Sequence, residues 1–373
     1  MRIGMLCHYY PPHPGGIEIV VWNLARALAR RHEVTIVTSA IGAADGTTVE
    51  DGITVVRTRA LNPTERFGIP YPVPVGPGLR TAIQALASAD VVHAHGALYA
   101  TSIQAARLAR REGIPLVVTE HVGFVQYPHR LINAIESAAW STVGDRVVAS
   151  ARAVVTINAR IQRWLAERYA ATDLRFIGNG VDTARFHPRE AAERGAIRAA
   201  LGLPLDRPLV LFAGRDSDKK NLEAVLEMPR DDFHLVVCGA RRGLTGNGLT
   251  DLGIVSYDQM PRVFGAVDVM VQASTGEGFP LVVQEALASG VAIAILWDPG
   301  YAASLGRDVV AACDTVESLG AAVRSLAADE ALRRRLSRDG RAWAERHWSW
   351  DATAAAYEQL YVDVARLARR RAA

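Results

Sequence analysis

Leu209-Val210-Leu211-Phe212-Ala213 runs directly into Gly214-Arg215-Asp216-Ser217-Asp218-Lys219-Lys220-Asn221. Five apolar residues that stop at a glycine predict a strand buried on both faces, and the polar turn leads into a helical pattern over Asn221–Met228. Such a strand belongs in a parallel sheet covered by helices. The same grammar continues toward the carboxyl end. Strands are predicted at His234–Cys238, Val267–Val271 and Ala292–Leu296, with helices at Gln259–Ala266, Leu281–Ser289 and Val316–Ala327. Toward the amino end, strands are predicted at Ile3–Cys7, Val34–Thr38, Thr54–Arg57, Val91–His93, Leu116–Thr119, Ala153–Ile157 and Arg175–Ile177. Helices fall between them at Ile17–Arg31, Leu79–Ser88, Ala100–Arg111 and Arg130–Ala149. Gly180, Pro188, Pro204 and Pro208 interrupt the alternation. The expectation is an α/β chain of two doubly wound domains, residues 1–187 and 188–350, followed by a helix over 351–373. Ligands of such sheets gather at the carboxyl ends of the strands, which places a ligand in the crevice between the domains. That argument alone fits a transferase, an epimerase or a dehydrogenase.

Composition narrows the classes. Of 373 residues, 50% are hydrophobic and 22% charged, which suits a folded globular chain of two domains. A net charge of +3 gives no case for nucleic acid as a partner. Residues 1–187 carry 19 arginines against 14 acidic residues, and the remainder is slightly acidic. The first half is therefore the better candidate for an anionic surface, although solvated helix faces explain the difference equally well. The 42 basic residues include only two lysines, Lys219 and Lys220. Where arginine is the default cation, a lysine hints that a compact ammonium is wanted. Cys7, Cys238 and Cys313 lie far apart and read as buried thiols in a reducing compartment. Met1-Arg2 leads straight into an apolar strand, with no signal peptide and no run long enough to span a bilayer. The expected location is cytoplasmic, with at most a peripheral contact at the inner face of a membrane.

Three loops carry candidate chemistry. The first predicted strand ends in His8-Tyr9-Tyr10-Pro11-Pro12-His13-Pro14-Gly15-Gly16-Ile17-Glu18 before a helix. A Gly-Gly pair there lets free amides and the helix dipole approach an anion such as a diphosphate, although a plain tight turn would also use glycines. The dinucleotide fingerprint GxGxxG is absent, which weakens a dehydrogenase reading. In the second loop, Arg215 and Lys220 are placed to meet phosphate oxygens and to stabilise a leaving diphosphate, or else form a solvated cationic loop. Asp216-Ser217-Asp218 spells DxD, but inside a cationic loop it is better read as helix capping than as a metal site. The third is Ser274-Thr275-Gly276-Glu277-Gly278-Phe279-Pro280-Leu281-Val282-Val283-Gln284-Glu285. Glu277 in the turn and Glu285 about one turn into the helix would face one cleft, where carboxylates accept hydrogen bonds from vicinal hydroxyls. Capping and surface glutamates are the plain alternative.

Taken in order, these pieces resemble glycosyltransferase family 4, whose members have the GT-B fold of two Rossmann-like domains. The resemblance also rests on Asp90-Val91-Val92-His93-Ala94-His95-Gly96, Thr119-Glu120-His121, Asn179-Gly180-Val181-Asp182 and Trp350. It implies a metal-independent, retaining transfer of a hexose-type residue from a UDP- or GDP-sugar to a hydroxyl acceptor, with no cofactor besides that co-substrate. Implied catalytic residues are Arg215, Lys220, His121 and Glu277. Implied donor contacts are Gly15, Gly16, Gly214, Ser256, Gly278, Phe279, Leu281 and Glu285, with the base near Val255-Ser256-Tyr257. Tyr10, His13, Tyr127 and Arg130 are candidates for the acceptor side. The last helix, Asp351–Arg371, is expected to cross back to the first domain. The family's usual mechanism is front-face attack, in which the departing phosphate takes the acceptor's proton. His121 is the one histidine expected at the site. Two departures stand out: Pro280, where the family often has glycine and an amide is lost, and a shortened stretch from Gly239 to Val255.

The acceptor is expected to be a lipid-linked, polysaccharide or natural-product intermediate. The helix Arg130–Ala149 would suit an anionic membrane surface, although an ordinary amphipathic core helix is the simpler account. Competing readings are a nucleotide-sugar epimerase of the same shape, which would convert its substrate without an acceptor, and a non-catalytic sugar-nucleotide or glycan-binding module. A nicotinamide dehydrogenase is a distant alternative.

Overall fold

The computed structural model describes the chain except residues 65–70, 125–129, 171, 240–242, 277 and 373. It forms two compact units, residues 1–179 with 350–373, and residues 180–349. The first holds β1 (Arg2–Leu6), β2 (Glu33–Ser39), β3 (Gly46–Glu50), β4 (Ile53–Thr58), a small hairpin of β5 (Ala60–Leu61) and β6 (Val73–Pro74), β7 (Val91–His95), β8 (Leu116–Glu120), β9 (Ala153–Thr156) and β10 (Leu174–Phe176). Its main sheet has the order β10-β9-β8-β7-β1-β2-β4-β3. All of its pairs are parallel except β3 with β4, which corrects the expectation of a purely parallel sheet. The extra strand is an exposed edge, joined to β4 through Asp51 and Gly52, both at positive φ. That is the backbone a tight hairpin with right-handed twist requires.

Alternate residues of the strands feed two cores. Met5, Cys7, Val91, Val117 and Val155 point toward the helices Gly16–Ala29 and Trp350–Ala372. Leu6, Val92, Ala94, Val118 and Val154 point the other way, toward Trp140 and the helix Ala100–Glu112. The C-terminal helix buries Ala354, Tyr357, Leu360, Tyr361 and Val364, a spacing of three and four residues that lines one helix face.

The second unit holds β11 (Leu209–Ala213), β12 (His234–Cys238), β13 (Leu249–Asp251), β14 (Val269–Gln272), β15 (Ala292–Leu296) and β16 (Ala311–Cys313). Their order is β13-β12-β11-β14-β15-β16, all parallel. The boundary falls at 179/180 rather than 187/188. Val181 and Phe186 pack in this unit's core with Trp348, and the Val181 amide donates to the Trp348 carbonyl at 3.3 Å. Three helices not predicted from the sequence complete the chain: Ala159–Arg168, Ala191–Ala200 and Glu330–His347. They are rich in arginine and alanine, so their apolar stripes are narrow.

The predicted helix Arg130–Ala149 is broken by a π-helical turn at Trp140–Gly144. Its first ten residues bury no side chain, and Leu131 and Ile135 are 72% and 62% exposed. The core-helix account therefore fails for that half and holds only for the half that buries Trp140, Val147 and Val148. Among the described residues, no helix is long and apolar enough to cross a membrane.

Gly239 sets how closely two site-bearing loops approach. It ends β12 at φ +80°, and a Cβ there would lie 3.1 Å from the Gly214 carbonyl oxygen. The Gly214 amide donates to Cys238 O at 3.0 Å and the Gly239 amide to Gly253 O at 2.7 Å, so neither backbone can retreat without losing a bond. Gly239→Ala is expected to lower the melting temperature by about 2–8 °C in scanning calorimetry. Gly195, mid-helix in Ala191–Ala200 with nothing within 4 Å of an added Cβ, is the control. Gly195→Ala should be neutral or stabilising by up to about 1 kcal/mol. Equal effects from both substitutions would refute the close-approach account.

Candidate active site

Each sheet reverses its winding direction once, at β1/β7 in the first unit and at β11/β14 in the second. Loops leaving neighbouring strands in opposite directions open a crevice at their carboxyl ends. In the second unit, that is where the predicted phosphate and sugar loops lie. Gly214 follows β11, and the Lys220 stem runs over it: a Cβ on Gly214 would lie 3.1 Å from Lys220 Cδ and 3.3 Å from Cε. The loop after β14 is tied to the same place, because the Thr275 amide donates to Lys219 O at 2.9 Å. Arg215 and Ser217 are exposed. The α-helix starts only at Leu222 with Asn221 in its cap position, so Asp216-Ser217-Asp218 flanks a 3-10 turn, Asp218–Lys220, rather than the helix it was expected to cap.

Gly278 lies in the β14 loop and Phe279 packs on Tyr301 and Trp348, with ring centroids 5.4 and 5.6 Å apart. This packing fixes the start of the helix Leu281–Ala288, whose cap position is Pro280. Glu277 lies outside the described residues. Glu285 is one turn into that helix and buried. Burial lifts its carboxyl from the ordinary carboxylate range to about 7, against the opposing pull of the Arg185 guanidinium and a hydrogen bond from Tyr257. Arg185 lies 4.5 Å over the Tyr257 ring and reaches Asp258 at 2.6 Å, which anchors the turn begun by the exposed Ser256. Sequence reasoning passed over Arg185. It lies just beyond Asn179-Gly180-Val181-Asp182 with no motif of its own, and only the fold brings it to Glu285.

In the first unit, Gly15 caps the helix that Gly16 begins. The two glycines differ. The room of a Gly15 side chain is filled by the Glu18 carboxylate, whereas nothing among the described residues lies within 4 Å of a Gly16 Cβ. Glu18 also meets His13 Nδ1 at 2.8 Å, and His13 stacks on Tyr9 with centroids 3.7 Å apart. A carboxylate at a helix start is favoured by the dipole, so Gly15 serves the helix's own cap and Gly16 alone offers an open approach. Tyr10, considered for the acceptor side, is 2% exposed and belongs to the core, with Arg57 5.7 Å from its ring. Arg130 is exposed at a helix start. Tyr127 lies outside the described residues.

His121 follows β8 and is buried, but it is not alone. His95, at the end of β7, meets it with Nδ1 to Nε2 at 3.1 Å. His93 lies beneath, with its ring 4.1 Å from that of His95, bonded through Nε2 to Thr119 Oγ1 and through Nδ1 to Tyr361 OH, each at 2.7 Å. Tyr357 OH closes the set on Thr119 at 2.9 Å. Glu120 takes the amides of Ala97, Val122 and Gly123 at 2.9 to 3.1 Å, holding the turn around His121. Burial pushes the pKa of His93 down to about 3 and of His121 to about 4, and holds that of His95 well below the ordinary imidazole value. All three rings are therefore neutral near neutral pH. The strand runs two residues past its predicted end at His93, to His95, and the alternation His93-Ala94-His95 was the available signal, because residues two apart on a strand share a face.

Comparison with known proteins gives the family and the fold. Residues 14–185 match the model of Glycosyltransferase Family 4, and residues 193–343 match that of Glycosyl transferases group 1. A D-inositol 3-phosphate glycosyltransferase of Xylanimonas cellulosilytica is 31% identical over 93% of this chain and 91% of its own length. The putative teichuronic acid biosynthesis glycosyltransferase TuaC of Bacillus subtilis is 31% identical over 69% of this chain and 66% of its own. Among solved structures, sucrose-phosphate synthase of Thermosynechococcus elongatus superposes with a TM-score of 0.78 at 20% identity, covering 97% of this chain and 98% of that one. HepE of Anabaena, in complex with UDP-glucose, does so with 0.75 at 15% identity, covering 97% and 100%. This chain belongs to glycosyltransferase family 4, the retaining glycosyltransferases of GT-B fold that use nucleotide-sugar donors.

Proposed function

We propose that the protein transfers a hexose-type residue from a UDP- or GDP-sugar to a hydroxyl of a lipid-linked, polysaccharide or natural-product acceptor. The observation that carries this reading is the joining of the β11 and β14 loops in the second unit. Lys220 lies over Gly214, Thr275 is bonded to Lys219, and buried Glu285 follows on the next helix. A cation, a bare backbone and a desolvated carboxylate are what a diphosphate and a ribose require.

In this reading Lys220 and Arg215 neutralise the diphosphate. Glu285 accepts the ribose hydroxyls, Ser256 and its neighbours meet the base, and Gly278, Phe279 and Leu281 border the sugar. Gly16 and His121 of the first unit keep their sequence-based roles, as a phosphate-binding amide and as a sugar-binding side chain. Glu277 keeps its sequence-based role as a sugar-binding carboxylate. The acceptor oxygen forms its bond to the anomeric carbon as the sugar–phosphate bond breaks, and the leaving phosphate oxygen takes the acceptor's proton. Negative charge grows on the diphosphate during that step, and the Lys220 ammonium and Arg215 guanidinium stabilise it. The reaction so written routes no step through a metal. The exposed Leu131 and Ile135 favour peripheral membrane contact by the first unit, as a lipid-linked acceptor would need.

Lys220→Ala should lower kcat by about 10²–10³-fold with donor in excess, while circular dichroism and melting temperature stay those of the parent. Normal turnover would remove Lys220 from the leaving-group role. A second outcome follows from the carboxyl that burial lifts to about 7. The ionised form accepts ribose hydroxyls at both oxygens, whereas protonation turns one of them into a donor, so UDP should bind more tightly by calorimetry as pH rises from about 6 to about 8. Stability moves the other way. Because the folded pKa lies above the unfolded one, stability is full below the ordinary carboxylate range and falls as pH rises to about 7, by an order of 3 kcal/mol. Glu285→Gln should flatten both dependences. A UDP affinity independent of pH in the parent would separate Glu285 from the ribose.

A further inference from the structure

Two arrangements of the His95–His121 hydrogen bond are chemically distinct, and the structure selects one. Each ring is neutral and so carries one proton shared between two nitrogens. Across the 3.1 Å contact, either His95 Nδ1–H donates to His121 Nε2, or His121 Nε2–H donates to His95 Nδ1. In the first case the other nitrogen of His121, Nδ1, bears a proton and is a hydrogen-bond donor. In the second it is a bare lone pair and a potential base.

His95 decides between them. It is 0% exposed, and its Nε2 has no hydrogen-bond partner among the described residues. His93, whose ring is tilted 40° to that of His95 at 4.1 Å, cannot turn to serve that nitrogen, because both of its own are held by Tyr361 and Thr119. Placing the proton on His95 Nε2 would bury an N–H with no acceptor, which is costlier and rarer than burying a lone pair. The proton therefore stays on Nδ1, where it has a partner. His121, with 4% of its surface exposed against none for His95, is the member of the pair that a ligand can reach.

We propose that His95 is a positioning residue that locks His121 in its Nδ1–H tautomer, so that His121 offers a hydrogen-bond donor, and no base, to a sugar oxygen. The tautomer rests on the hydrogen-bond network alone, and its use on a sugar rests on the transferase reading above. With His121 unable to accept a proton at Nδ1, the acceptor's proton has to leave with the phosphate oxygen. Tyr357, Tyr361, Thr119 and His93 support the arrangement by immobilising the ring on which His95 rests.

Long-range ¹⁵N–¹H correlation spectra of full-length protein labelled with ¹⁵N-histidine test this, with His121 assigned through His121→Gln. The expected spectrum near neutral pH shows His121 protonated at Nδ1 and bare at Nε2. In His95→Phe the proton should move to Nε2, and kcat should fall about tenfold while UDP binding is unchanged. His95→Asn, whose side-chain amide can donate from near the Nδ1 position, should keep the Nδ1–H tautomer and restore kcat to within a few-fold of the parent. A parent protein with His121 protonated at Nε2, or a tautomer that His95→Phe leaves unmoved, would overturn the proposal. The parent spectrum suffices for this even if His95→Phe does not fold. The spectrum needs no substrate, so a protein that transfers no sugar would sink the transferase reading while an Nδ1–H His121 would still uphold the tautomer.

Discussion

Parallel strand pairing is the constraint from which the site follows. When β11 pairs with β12 on one side and β14 on the other, all three strands end at the same edge of the sheet, and their loops must leave together. Residues as distant in sequence as Gly214, Gly239 and Thr275 become neighbours because their strands run the same way. The first sheet does the same for the loop of Gly15 and Gly16, the end of β7 and the turn after β8. Helices on both faces exclude water from the central strands, so a ligand meets the backbone of those strands at their ends.

Desolvation then sets the chemistry of what lies at those ends. It raises the Glu285 carboxyl, which would be charged in water near neutral pH, to about 7, and it lowers the three histidines so that they stay neutral well below that pH. The cations that remain are of two kinds. Arg215 is exposed and free to adjust, whereas the Lys220 stem is laid along Gly214. Within the first unit the histidine layer stays neutral through ordinary shifts of pH, and within the second a carboxyl lifted to about 7 is buried on the helix that follows the β14 loop.

Much of this was legible in the sequence. The buried strands announce themselves as apolar runs closed by glycine, and the order of motifs carries the family. What escaped had weak or non-local signals. The edge strand β3 is polar and exposed, so it lacks an apolar run, although Asp51-Gly52 was a hairpin signal waiting to be used. The boundary was drawn at the prolines, but Val181 and Phe186 answer to Trp348, far along the chain. Gly15 and Gly16 look equivalent as letters and become different only once Glu18 fills the space beside one of them. His95 was read as part of a family stretch and not as a partner of His121, because a contact between adjacent parallel strands leaves no trace in local spacing.

The first unit is built from two separate stretches of chain. Ala354, Tyr357, Leu360, Tyr361 and Val364 fill a core whose other buried members lie before residue 156, while residues 180–349 form a continuous second unit. During synthesis the second unit has its complete sequence before the first does. The early sheet must wait, with one apolar face covered only in part by the helix Gly16–Ala29, until the helix Trp350–Ala372 leaves the ribosome. The nascent protein is therefore most exposed to misassociation along the surface that Tyr357 and Tyr361 later cover.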